Sequence, residues 1–107
     1  MGATGYFSHP DCYKHEMGAG HPECPERLSA IEDRLLITGL DMALTRREPA
    51  PAALADIELA HGRMHVAALR GLTDVLREDM AAGGPEHTPL DPDTLINAHT
   101  WDAALRS

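Results

Sequence analysis

The fold of this chain turns on residues 21–28, which read HPECPERL. Pro25 suits the first position of a helix, and Glu26 complements the positive end of the helix dipole. Apolar residues then recur at intervals of three and four: Leu28, Ile31 and Leu35. Gly39 can end such a helix in the left-handed conformation. The pattern therefore predicts a helix over residues 25–38.

Short strands are predicted on both sides of this helix. Residues 4–8 are rich in aromatic side chains and end at a proline, as a buried strand does before a turn. Residues 42–47 alternate apolar and polar side chains, which is typical of a half-exposed strand. Residues 11–24 contain glycine and proline without a hydrophobic period, so we expect a long polar loop. The result is a strand–helix–strand unit of the α/β class with short parallel strands.

The second half of the sequence predicts mainly helices, over residues 52–60, 63–80 and 92–107. The middle one has an apolar stripe: Leu69, Leu72, Leu76 and Met80. Residues 81–90 are predicted to be a loop because of their glycines and prolines. Asp91 reads as the N-cap of the last helix and Pro92 as its first residue. That helix reaches Ser107 without a stop signal, so we expect the chain to be one segment of a larger domain.

Composition narrows the class of partner. The chain has 107 residues with 17 acidic against 9 basic side chains, and a formal net charge of -8. Such a charge disfavours nucleic acid and anionic membranes, and no apolar run approaches the roughly 18 residues that a membrane span needs. Two cysteines are too few for a disulfide framework. We therefore expect a cytoplasmic protein.

Several segments resemble the start of the zinc-dependent deacetylase superfamily, which contains histone deacetylases and acetylpolyamine amidohydrolases. Residues 21–28 match the family pattern His-Pro-Glu-x-Pro-x-Arg-Leu, and residues 6–10 and 15–18 are similar to the strand and loop that precede it. Residues 56–61 and 91–94 are similar to later family segments. The resemblance covers nearly the whole chain and is nearest to the bacterial class II-like members.

The resemblance implies the N-terminal part of an arginase/deacetylase-like fold, with an incomplete sheet. In the family, loops at the strand ends surround an acyl-lysine tunnel, zinc is held by an Asp-x-His pair and a later Asp, and a His-His pair acts as acid and base. This sequence contains neither an Asp-x-His nor two adjacent histidines. We therefore expect zinc in the complete protein, none on this chain, and no activity from the chain alone.

Two site assignments follow from the resemblance, residue by residue. Arg27 matches the arginine that lines the internal channel, where a guanidinium can bind the departing acetate; otherwise it pairs on the surface with a nearby glutamate. The loop over residues 11–24 matches the tunnel rim, with the candidate residues Asp11, Glu16, His21, Pro22 and Glu23. Its acids would suit a cationic substrate such as acetylated lysine or an acetylpolyamine, or would simply keep the surface solvated.

Two non-catalytic alternatives remain open at this point. Cys12, His15, His21 and Cys24 form C-x2-H-x5-H-x2-C, which could make a small zinc-stapled binding module, although the central spacing is shorter than usual. An unpaired sheet edge could instead make the chain a self-associating module, and therefore a homo-oligomer.

The remaining histidines are expected to be structural or exposed. His61 and His65 lie four apart, but Gly62 interrupts the helix between them, so we expect capping and packing. Three others are isolated in sequence: His9, His87 and His99.

Overall fold

The computed structural model describes residues 2–107, which form an α/β structure of two small sheets and several helices. Its strands and helices, in chain order, are β1 (Thr4–Phe7), α1 (Glu26–Thr38), β2 (Leu44–Arg47), α2 (Leu54–Ile57), α3 (Arg63–Ala81), β3 (His87–Asp91), β4 (Thr94–Asn97) and α4 (Thr100–Arg106). Two 3-10 turns accompany them, at Pro10–Tyr13 and Leu40–Ala43. Within residues 2–107, no helix has the length and apolar character that a membrane crossing requires.

The first sheet is the strand–helix–strand unit that the sequence predicts. β1 and β2 pair in parallel, with Thr4 opposite Leu44 and Phe7 opposite Arg47. α1 connects them and ends at Gly39, whose φ of 76° lies in the left-handed region where glycine carries no steric penalty. Two boundaries differ slightly from the prediction: Pro25 caps α1 instead of beginning it, and β2 starts only after the Leu40–Ala43 turn.

The apolar residues of this first unit are largely uncovered. No residue of β1, α1 or β2 is buried. Several large apolar side chains are exposed instead: Phe7, Ile31, Leu36, Ile37, Leu40 and Met42. The spacing of apolar residues in α1 therefore predicts a helix. Nothing in residues 2–107 covers the apolar side chains of that helix completely.

The core lies in the second half of the chain. α3 contributes Leu76, which is 1% exposed, and Thr73, whose hydroxyl donates to the Leu69 carbonyl at 2.9 Å. Ile96 of β4 and Trp101 of α4 are also buried there. These side chains pack β4 and α4 against α3, and the stripe that the sequence indicates on α3 supplies part of the core.

The predicted helix over residues 92–107 is wrong in its first half. β3 and β4 form an antiparallel hairpin, with His87 opposite Asn97 and an irregularity between Pro89 and Asp91. The Asp91 carboxylate accepts the Asp93 amide at 2.9 Å, so the side chain expected to cap a helix closes the hairpin turn instead. The predicted loop over residues 81–90 correspondingly contains β3, and the last helix begins only at Thr100. The helix predicted over residues 52–60 is reduced to one turn.

Candidate functional site

An open depression lies at the carboxyl end of β1. Its volume is about 740 Å3, and its walls come from the end of β1, the loop over residues 11–24, the start of α1 and the whole of α4. The polar side chains in these walls include His9, His15, Glu23, Arg27 and Arg106. Loops at the carboxyl ends of parallel strands are where α/β proteins usually bind ligands. We take this depression as the candidate site.

Arg27 lines the depression from the first turn of α1. Its Nη2 donates to the Glu23 Oε1 at 2.5 Å, and the two side chains are 50% and 52% exposed. The surface pairing that the sequence allows is therefore present, and Arg27 also lines the depression. The two interpretations do not exclude each other, and the acetate-binding role of Arg27 stays a prediction.

The loop over residues 11–24, which we call the rim loop, is tied to the second half of the chain by its histidine and glutamate. His15 Nδ1 lies 2.8 Å from the Thr100 hydroxyl at the start of α4. The Glu16 carboxylate makes a short contact with His87 Nε2 on β3. Each contact joins residues more than 70 positions apart, since the separations are 85 and 71.

Two further contacts attach the rim loop to the hairpin. His21 Nε2 lies 3.0 Å from the Asp93 carbonyl at the hairpin turn. The Asn97 side-chain amide donates to the Lys14 carbonyl at 2.7 Å. The rim loop thus takes its shape from β3, β4 and α4 as well as from its own sequence.

The charges of the rim acids are balanced locally. Asp11 accepts from Lys14 Nζ at 3.1 Å and lies 3.9 Å from Arg106 Nε, Glu23 pairs with Arg27, and Glu16 faces a histidine. The hydrogen bond from Lys14 lowers the pKa of Asp11. These pairings reduce the local attraction for a cationic substrate that the acids alone would provide. Pro22, the remaining rim candidate, is exposed.

Burial affects the two adjacent titratable rim residues differently. Burial lowers the pKa of the His15 ring, which favours its neutral form. Burial alone would raise the pKa of Glu16, but hydrogen bonds from the Gly18 amide, at 2.8 Å, and from His87 outweigh it and lower that pKa. A neutral ring and a carboxylate therefore stand side by side at the rim.

The predicted zinc-stapled site is not formed. The Cys12 thiol points to the Ala103 carbonyl at 3.9 Å, His15 binds Thr100, and His21 Nδ1 accepts the Glu23 amide at 3.0 Å. Over residues 2–107, no three His, Cys, Asp or Glu side chains gather in a way that could hold a metal ion. The spacing suits a metal site, but Cys12, His15 and His21 each have a partner elsewhere.

Sequence reasoning missed three residues that organise the rim, namely His87, Asn97 and Thr100. His87 was expected to be merely structural or exposed, and the predicted long helix hid the other two. A signal existed for Asn97, because asparagine shortly before a helix is a common capping residue. The predicted helix conceals this signal, because it begins at Pro92, eight residues before Thr100.

Comparison with known proteins yields a structural match and no sequence match. No family model and no curated protein sequence matches the chain. The crystal structure of the HDA15 HD domain, a histone deacetylase domain, matches with a TM-score of 0.76 and 21% identity, over 97% of this chain and 28% of that chain. The chain thus spans a little over a quarter of that chain's length. At this identity the likeness shows the fold alone: this chain is arranged like part of the HDA15 HD domain.

Proposed function

We propose that this chain is the N-terminal part of a zinc-dependent deacetylase that hydrolyses acetyl-lysine or acetylpolyamine amides, of the kind found among bacterial class II-like members. One observation carries the proposal, namely the match of nearly the whole chain to part of the HDA15 HD domain. The HPECPERL stretch supports it independently, because its arginine lines the depression at the carboxyl end of β1.

In this proposal Arg27 binds the acetate product in the internal channel. A guanidinium suits this task because its two parallel N–H groups match a carboxylate. In the isolated chain the guanidinium is occupied by Glu23, but half-exposed ion pairs contribute only about 0–1 kcal/mol. Exchanging the Glu23 carboxylate for an acetate would therefore cost little. The same weak pairing would keep Arg27 orientated while the site is empty of product.

The rim loop would surround the mouth of the substrate tunnel. Its acids are already paired with basic side chains, so in this proposal the loop acts on the substrate through its shape more than through its charge. A long-range preference for cationic substrates would instead come from the net charge of -8.

In this proposal the metal site is formed by residues other than those of this chain. Residues 2–107 contain no cluster that fits zinc, so the ligands would lie in sequence outside these 107 residues, together with the catalytic histidine pair. We expect the isolated chain to be inactive and to bind no zinc.

The test is an activity assay of the complete protein on an acetyl-lysine peptide and an acetylated polyamine, with and without zinc. We expect metal-dependent acetate release from the complete protein and none from the 107-residue chain. Arg27→Ala should lower turnover at least about tenfold, which corresponds to losing one charge-assisted hydrogen bond. Glu23→Gln is the matched control, since it removes the partner and retains the guanidinium. A complete, zinc-loaded protein that releases no acetate from either substrate would refute the proposal.

One observation favours a second candidate function, a self-associating non-catalytic module. Exposed apolar side chains on α1 and β1, together with a two-stranded sheet open at both edges, resemble surfaces that pair with another chain. Light scattering over a range of concentrations separates the candidates. A discrete oligomer combined with an inactive complete protein supports the module, and a monomer at high concentration argues against it.

A further inference from the structure

The Asn97 side chain makes three hydrogen bonds, each to a different residue. It is only 5% exposed, at the end of β4. Its Nδ2 donates to the Lys14 carbonyl at 2.7 Å, while its Oδ1 accepts the His99 amide at 3.0 Å and the Thr100 hydroxyl at 3.2 Å. The Asn97 backbone amide donates back to the Thr100 hydroxyl at 2.9 Å. One side chain thus joins the rim loop to the start of α4.

The hydrogen bonds of the Asn97 amide nitrogen and of its oxygen both affect the same rim-loop residue, His15. Lys14 directly precedes His15, so holding the Lys14 carbonyl fixes the backbone from which the His15 ring projects. The ring itself binds the Thr100 hydroxyl, which Asn97 also holds. His15 and Thr100 both line the depression. The position of the wall at His15 therefore depends on the Asn97 side-chain amide, which lies 83 residues after Lys14 in the sequence.

We propose that Asn97 is a positioning residue for the rim loop, which sets the place of His15 and hence the width of the depression's mouth. This inference rests on the proposed function only where it concerns the substrate, because the coupling between Asn97 and the loop is a property of the chain itself.

The Glu16–His87 contact is a second tie, but it is the weaker of the two. Its side chains are 39% and 23% exposed, so solvent competes for both groups. The Asn97 amide is buried, and a buried donor that loses its acceptor costs more than an exposed one does. The Asn97 side chain also carries no charge that acid or base could change.

Asn97→Asp isolates the proposed role, because it keeps the shape and the acceptor oxygen while removing the donor to Lys14. We expect hydrogen exchange at the Lys14 and Gly18 amides of the 107-residue chain to become at least about tenfold faster, with the amides of α3 unchanged. Asp102→Asn, an exposed change on α4 whose partner is Arg77, is the matched control and should leave the loop unchanged. Unaltered loop exchange, or an equal increase in α3, would overturn the proposal.

A second pair of variants covers the case in which Asn97→Asp does not fold. Thr100→Val removes the hydroxyl with little change in shape, and Thr100→Ser restores it. The proposal requires faster rim-loop exchange in the valine variant and wild-type exchange in the serine variant. Equal behaviour of the two would count against it.

The complete protein separates this inference from the proposed function. There Asn97→Asp should raise the KM for an acetyl-lysine peptide several-fold more than it lowers kcat, because the rim contacts substrate and not the reacting bond. Faster loop exchange with KM and kcat both unchanged would overturn the positioning role. A wild-type protein without activity refutes the proposed function instead, and the exchange results then decide whether Asn97 holds the loop.

Discussion

Replacing Leu76 and Leu36 separately by alanine tests where the stability of this chain resides. Leu76 on α3 is 1% exposed, whereas Leu36 on α1 is 60% exposed. Both lie in helices, so the change in helix propensity is nearly the same and cancels in the comparison. The difference between the variants therefore reports burial alone.

The expected losses differ by several-fold. Removing a fully buried leucine side chain costs about 2–5 kcal/mol of unfolding free energy, because the transfer of its methyl groups and the cavity left behind both contribute. Leu36 has under half of its surface covered, and truncating an exposed side chain leaves no cavity, so we expect a loss below about 1 kcal/mol. A domain of this size has roughly 5–15 kcal/mol in total, so the Leu76 variant should unfold at clearly lower denaturant.

Urea unfolding followed by circular dichroism measures both values, at two protein concentrations that show whether unfolding depends on association. Similar losses for the two variants would refute the reasoning, because they would mean that α1 is covered as completely as α3. If the loss in unfolding free energy for the Leu36 variant changes with protein concentration, a second copy of the chain covers α1.

Three other substitutions probe local features. His15→Gln should flatten the decline in stability between about pH 7.5 and 5.5. Burial lowers the folded-state pKa of His15. The contribution of His15 to the free energy of unfolding is therefore present above the ordinary pKa of 6.5, and it is lost as the pH falls towards the folded-state pKa. Urea unfolding midpoints measured across this pH range test the prediction. Arg46→Lys should lower Tm slightly, because lysine cannot reproduce the two hydrogen bonds of 2.7 and 3.2 Å to Glu32. The decrease in Tm should be smaller in concentrated salt, which screens the ion pair. Scanning calorimetry at two salt concentrations tests both expectations. Gly39→Ala should cost about 1 kcal/mol in urea unfolding, with Gly39→Asn closer to wild type, because φ at this position is 76°.

The first half of the fold follows from the sequence because its signals are local. Gly39 ends α1 whatever lies nearby, and the parallel pairing of β1 with β2 follows from the helical connection between two short strands. The second half depends on packing. Asp91 and Pro92 serve equally well at a helix start or in a turn, and the choice is made by Ile96, which is buried beside α3 only when β4 is extended. No window of sequence near residue 92 contains that information.

The candidate site shows the same division between local and distant information. The HPECPERL stretch indicates Arg27, and the sequence leaves Glu23 or Glu26 as its partner; the structure forms the pair with Glu23. The partners of the other rim residues lie 71 to 85 positions away, on elements that were predicted incorrectly or as loop. Residue types alone cannot show which distant hydroxyl or amide meets a loop.

Residues 21–28, which carry the family-like motif, include none that is buried, and this constrains how the site can be held together. The first unit joins the core where the segment after β2 meets α4: the Ala52 amide donates to the Leu105 carbonyl at 2.8 Å, and Arg106 donates to the Pro49 carbonyl at 2.7 Å. The same α4 begins at Thr100, where the rim loop is fixed. α4 therefore contacts both the segment that follows β2 and the rim loop. A change that shifts α4 should disturb both segments, whereas loss of the Asn97–Lys14 bond alone should disturb only the rim loop.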